Sequence, residues 1–297
     1  MNTTRLFSGL IVLLLISELL SCTDHRIPAV TPGINRLRVK SIIQQLTPVS
    51  SVSTVSAFSY DNQNRLSSIL AYQVPDSASA PVENTVYQYN AQNRLTQAQH
   101  SVVRRGSNLE TYTFVYNSAG QLSNFGNSPS TFSISLQYDA ANRVSSYSKG
   151  ISVAGLQSSG GGALTFTGNN LTASTETFSI IRSGGPSIPV FSRATSSIYT
   201  FDDKLNPFYG IYIIPAPGVF LPGAGVGSFG PFYTLYGGID NSFNLSQNNV
   251  LSVVTSGTST ATTTYAYTYN AANLPTTRLT TSGGSVTEIL RFEYEPY

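Results

Sequence analysis

Four short segments of this chain repeat a pattern that leaves the backbone few choices. They are Tyr60-Asp61-Asn62-Gln63-Asn64-Arg65-Leu66, Tyr89-Asn90-Ala91-Gln92-Asn93-Arg94-Leu95, Tyr116-Asn117-Ser118-Ala119-Gly120-Gln121-Leu122 and Tyr138-Asp139-Ala140-Ala141-Asn142-Arg143-Val144. Successive tyrosines stand 29, 27 and 22 residues apart, enough for one hairpin and its return. The residue types fit a three-residue loop, a type I turn followed by one left-handed residue. Asp or Asn opens such a turn through its side chain, and the left-handed position suits only Asn or Gly. Asn64, Asn93, Gly120 and Asn142 occupy that repeat-turn position.

Counting outward pairs Asp61 with Arg65 and Tyr60 with Leu66, and likewise in the other copies. This predicts a Tyr/Leu face in the core and an Asp/Arg face in water. Looser copies at Phe166–Leu171, Phe201–Leu205 and Tyr269–Leu274 predict shorter turns. Alternating runs between copies, such as Thr111–Tyr116, Thr131–Tyr138 and Thr263–Tyr269, read as strands, and no stretch of the mature chain shows an amphipathic helix. The fold class expected is all-β: a long antiparallel meander of hairpin repeats, strongly curled or closed into a barrel-like shell. A single domain is expected over residues 34–297, with a Pro, Gly and aromatic insertion at about 206–243.

The start of the chain speaks to its address. Met1–Arg5 carries one cation, Leu6–Ile16 is apolar and too short to span a bilayer comfortably, and Leu19-Leu20-Ser21-Cys22 resembles a lipobox. Residues 1–21 are expected to be a signal peptide. Cys22 is the only cysteine in the chain, and its thiol is the expected site of lipidation. Residues 22–33 then form a tether, with Pro28 and Pro32 among few apolar residues. Thr23, in place of Asp, resembles the sorting signal for the outer membrane. The expectation is a lipid-anchored location there, on the cell surface or the periplasmic face.

The Tyr-Asp/Asn-x-x-Asn/Gly-Arg-Leu unit resembles the YD repeat of Rhs and teneurin-type proteins, which implies β-sheets wrapped into shells. The wider layout adds Phe201-Asp202-Asp203-Lys204-Leu205-Asn206-Pro207-Phe208, Asn248-Asn249-Val250, the hairpin from Tyr265 to Leu279 and the ending Phe292-Glu293-Tyr294-Glu295. It resembles a group of Gram-negative lipoproteins with a porin-like β fold and no assigned function. That resemblance implies no catalytic residues.

Composition narrows the function classes. Charged residues make up 10% of the chain, against about 25% in an ordinary soluble domain, so hydroxyls and amides must supply solubility. A net charge of +2, with cations scattered singly apart from Arg104-Arg105, gives no footprint for nucleic acid. His25 lies on the tether, and His100 reads as a surface residue beside a strand. With so little histidine a hydroxyl nucleophile lacks a base, and neither a metal nor a cofactor is expected. Gly225-Val226-Gly227-Ser228-Phe229-Gly230 matches G-x-G-x-x-G, but Pro222 and Pro231 deny it the helix a dinucleotide site needs. Asp61-Asn62-Asn64 is short of carboxylates for Ca²⁺.

Two features leave room for function. Phe208, Tyr209, Tyr212, Phe220, Phe229, Phe232, Tyr233 and Tyr236 crowd the insertion. They either cap the sheet or form a binding surface for a glycan, a lipid or another envelope protein. Asp202-Asp203 suggests either a turn or the carboxylate pair of a glycan hydrolase. The main expectation is a non-enzymatic envelope lipoprotein with a binding or structural role. The alternatives are the envelope hydrolase and an integral outer-membrane barrel, to which the alternating aromatics of Arg291–Tyr297 lend some support.

Overall fold

The computed structural model describes residues 37–78, 80, 82–104, 109–128, 133–153, 155–182, 189–210 and 242–297. Among these, sixteen strands form one antiparallel sheet. They are β1 (Leu37–Gln45), β2 (Ser53–Tyr60), β3 (Leu66–Val74), β4 (Val82–Tyr89), β5 (Leu95–Val102), β6 (Glu110–Tyr116), β7 (Leu122–Ser128) and β8 (Ser133–Tyr138). There follow β9 (Val144–Val153), β10 (Leu156–Thr167), β11 (Asn170–Arg182), β12 (Pro189–Leu205), β13 (Asn248–Ser256), β14 (Thr260–Tyr269), β15 (Pro275–Ser282) and β16 (Ser285–Pro296). Each strand pairs with the next, and β16 returns to β1 from Leu37↔Pro296 to Gln45↔Ile289, so the sheet is a closed barrel with no free edge.

The repeat turns all fall at one rim, and local chemistry explains their shape. Asn64, Asn93 and Asn142 have φ of 62°, 60° and 63°, and Gly120 has 82°. In the first turn the Asp61 N–H donates to Arg65 O (2.9 Å) and the Asn64 N–H to Asp61 O (3.0 Å). Asp61 Oδ1 also accepts from the Gln63 and Arg65 N–H groups, both at 2.9 Å. Partial burial works against the Asp61 carboxylate, yet these bonds and the Arg65 guanidinium hold it below its ordinary pKa. Tyr60 pairs with Leu66, Tyr89 with Leu95, Tyr116 with Leu122 and Tyr138 with Val144, each beside a bulge.

Consecutive turns are tied together around the rim. Tyr60 OH donates to Val39 O (2.6 Å), Tyr89 OH to Leu66 O (2.8 Å), Tyr116 OH to Leu95 O (2.9 Å) and Tyr138 OH to Leu122 O (2.8 Å). Tyr89, Tyr116 and Tyr138 thus reach a carbonyl of the preceding repeat, and Tyr60 one of β1. The arginines point the other way: Arg38 donates to Asn64 Oδ1 (3.0 Å) and Arg65 to Asn93 Oδ1 (2.9 Å), and their guanidinium groups lie over Tyr60 and Tyr89. The expectation of a wholly wet Asp/Arg face is corrected here, because the Arg65 and Asp61 side chains are only 16% and 23% exposed. Stacking on the next tyrosine removes them from water.

Two of the looser copies also differ from expectation. Tyr269–Leu274 is no shorter: Asn270 N–H donates to Leu274 O, Asn273 has φ 58° and Tyr269 pairs with Pro275, as in the full repeats. Phe201–Leu205 contains no reversal, because β12 runs through it with register shifts against β13.

The two sides of the wall are chemically distinct. On β6, Tyr112 and Phe114 are buried and Thr113 and Val115 exposed; on β8, Ile134 and Leu136 are buried and Ser133, Ser135 and Gln137 exposed. On β14 the exposed series is Thr262, Thr264, Ala266 and Thr268, opposite half-buried Thr263, Tyr265, Tyr267 and Tyr269. Apolar side chains fill the interior instead. One cluster gathers residues of β1 to β8 and β16 with Val144 of β9, among them Ile42, Ile69, Leu95, Phe125 and Leu290. A second, smaller cluster holds Leu171, Tyr199, Leu245 and Val250.

Candidate functional site in the barrel interior

The described ends of the link between β12 and β13, residues 206–210 and 242–247, pack against the barrel interior at the turn rim. Asn206 is buried, and its side-chain amide donates to Phe243 O (2.7 Å) and Ser246 O (3.1 Å), while its Oδ1 accepts from the Phe208 N–H. Phe208 packs 6.2 Å from Phe292 within the larger cluster, and Leu245, on a single 3-10 turn (Ser242–Leu245), joins the smaller one. Of the eight aromatics expected to cap the sheet or bind a partner, Phe208 is buried and Tyr209 half-buried. Tyr212, Phe220, Phe229, Phe232, Tyr233 and Tyr236 lie outside the described residues, as does the glycine motif at 225–230.

Asp202 fastens this corner. Its carboxylate accepts from the Lys204 N–H (3.0 Å), the Asn249 N–H (3.1 Å), the Asn249 side-chain amide (3.1 Å) and Tyr269 OH. The Asp203 side chain is 85% exposed and meets only Lys204 among these. Neither a turn nor a converging pair describes the two carboxylates: the strand's irregular register sends one inward to brace β13 and β14 and the other to solvent. Beside Asn206, a cavity of about 20 Å³ is lined by Asn249, Tyr267, Arg278 and Phe292, room for about one water.

Among the described residues, three polar islands interrupt the apolar interior. On the first, Glu288 accepts from Gln44 (2.6 Å), Arg278 (2.6 Å) and Thr280 (3.0 Å). Burial opposes ionisation of Glu288, but Arg278 and these donors keep its pKa below the ordinary value. The second crosses three strands. Tyr147, Gly162 and Glu176 share a row, so Tyr147 OH passes over Gly162 to Glu176 (3.1 Å), which also holds buried Lys149 at 3.1 Å.

The third island lies toward the opposite rim. His100 is 2% exposed, with Nδ1 2.9 Å from Thr85 Oγ1 and Nε2 4.0 Å from Glu83 Oε2. The reading of His100 as a surface residue is therefore corrected: position 100 falls on the inward face of β5, beside Thr85 of β4 and Glu110 of β6. Burial pushes the Glu83 carboxyl up to about 7 and the imidazole down to about 4. Glu110, bonded by Tyr112 OH (3.1 Å), is also raised by burial.

Arg278 and Lys149 hold the carboxylates of the first two islands across strands. Asp202 spends its lone pairs on donors, Glu176 and Glu288 on cations, and no group of three or more His, Cys, Asp or Glu among the described residues could hold a metal. Asp61, weighed above for Ca²⁺, has its oxygens engaged by its own turn.

The class this defines is a closed sixteen-stranded antiparallel barrel with a largely apolar interior. Among solved structures it is similar to a porin-like protein from Bacteroides uniformis, 14% identical, with a TM-score of 0.40 over 86% of this chain and 96% of that one. It is likewise similar to a porin-like protein from Bacteroides vulgatus, 12% identical, with a TM-score of 0.39 over 88% and 99%. No family model matches the chain, and no curated protein does.

Proposed function

We propose that the chain is a β-barrel lipoprotein of the cell envelope, anchored to the outer membrane through lipid on Cys22 and working as a non-enzymatic binding or structural protein. The observation that carries this reading is the outer wall. From β5 to β15 serine, threonine and glutamine line most of its outward positions, as on β6, β8 and β14, and hydroxyls pair across it, as Thr200 with Ser252 (2.6 Å); outward apolar side chains concentrate on β1 to β4. A bilayer-spanning barrel presents an apolar band about 25 Å tall around its whole circumference, and a wall polar from β5 to β15 does not satisfy that need.

A second reading, an integral outer-membrane barrel, is favoured by the even strand number and full closure. One experiment separates the two. The chain from Thr23 onward, exported behind a cleavable leader without a lipobox, is expected in the soluble periplasmic fraction. Recovery only with detergent, in the membrane fraction, would reject the lipoprotein reading and favour the second.

A further inference from the structure

The rim opposite the tyrosine turns has a different character. Along its β1 to β6 arc the hairpin ends expose Leu46 (56%), Val49 (92%), Val52, Val74, Val103 (60%) and Leu109. Behind these tips an apolar row continues onto the outer wall: Ile43 pairs with Val55, Val55 with Tyr72 and Tyr72 with Val82, all on outward positions. Arg182 is an exposed cation at the same end, and so is Arg193 on the row of inward Phe178; the exposed acid among the described residues there, Asp76, is neutralised by Arg104 at 2.7 Å.

We propose that this rim docks onto the surface of an anionic lipid bilayer. The tips stand on successive hairpins, about 10 Å apart at two strand spacings, and project separately instead of walling a groove. A fluid surface accepts such projections, burying each side chain in the interfacial layer while the arginines meet lipid phosphates. The arrangement rests on the lipid-anchored reading and is compatible with it in length. Fourteen residues separate Cys22 from Leu37, which begins β1 at the turn rim. Fully extended they reach about 50 Å, against about 30 Å for a nine-residue strand, so the tether can pass the barrel's height.

The test uses the full, lipidated chain with Val49→Cys or Val103→Cys carrying an environment-sensitive thiol dye, and Ser148→Cys on the polar wall as control. On vesicles containing phosphatidylglycerol, dye at 49 and 103 is expected to shift to the blue and to resist iodide quenching, while dye at 148 stays unchanged. Vesicles of phosphatidylcholine alone, or the added change Arg104→Glu, should weaken the response. Equal spectra at 49 and 148 would overturn the proposal. So would a blue shift at 49 that grows with protein concentration without vesicles, which marks a second copy as the occupant. Dye uptake by the unsubstituted chain would instead expose a free Cys22 thiol and defeat lipidation, a failure separate from that of the rim.

Discussion

Arg65 and Asn93 lie in neighbouring hairpin turns, and the guanidinium Nη1 of the first donates to Oδ1 of the second over 2.9 Å. The same arginine pairs with Asp61 at 2.7 Å and covers the Tyr89 ring at 4.5 Å, so one side chain joins two repeats by three interactions. Arg65→Ala is expected to cost about 1–2 kcal/mol by urea denaturation, and Arg65→Lys nearly as much because the planar fork is lost. A loss below about 0.3 kcal/mol for both would mark an ordinary solvated ion pair.

The left-handed asparagines make a second prediction. At φ 62°, Asn64→Gly should lie close to the wild type, relief of backbone strain offsetting the lost bond from Arg38. Asn64→Val should cost about 1–2 kcal/mol or more. Equal unfolding midpoints for the two variants would contradict the turn geometry.

Glu83 and His100 predict opposite pH dependences. With its carboxyl raised to about 7, Glu83 supports the fold fully below the unfolded pKa near 4.5, and that support is lost as pH rises through 7. With its imidazole lowered to about 4, His100 does the reverse: its support is full above 6.5 and is lost as pH falls toward 4. Each effect is at most about 3 kcal/mol. Relative to wild type, Glu83→Gln should therefore gain more stability at pH 8 than at pH 4, and His100→Gln more at pH 4 than at pH 8. Thermal midpoints at the two pH values check both signs.

Gly162 lies beneath the Tyr147 ring. A Cβ there would stand 2.6 Å from Thr175 O and 2.7 Å from the ring, so Gly162→Ala must displace either backbone or ring. The expected cost is about 1–3 kcal/mol. The double variant with Tyr147→Ala should cost less than the sum of the two single changes if the ring is the main obstacle, and strictly additive losses would place the strain in the backbone.

What the chain discloses before folding is its local grammar. Tyr60, Asn64 and Leu66 lie within seven residues, so the hairpin, its register and hence the all-β meander can be derived from short-range chemistry. The ties between hairpins cannot, since Tyr89 meets Leu66 and Arg65 meets Asn93 only after strands align. The Glu83–His100 island was hidden for a related reason: its members lie on separate strands, and inward polar residues look like outward ones until burial is known. Three consecutive glycines, Gly160 to Gly162, were a visible signal of close approach that reading for turns alone overlooked. The alternation of Thr and Tyr on β14 also hid its sense, because a threonine face can be either wall.

Closure of β16 onto β1 joins the last strand of the barrel with its first. Until Leu290 and Phe292 arrive, Ile42 has no partner strand on that side, and the growing sheet carries an open lip. Closure of the barrel therefore has to wait for β16. A chain stopped before Ser285 would expose two unpaired borders, at β1 and β15, and so invite joining to other copies.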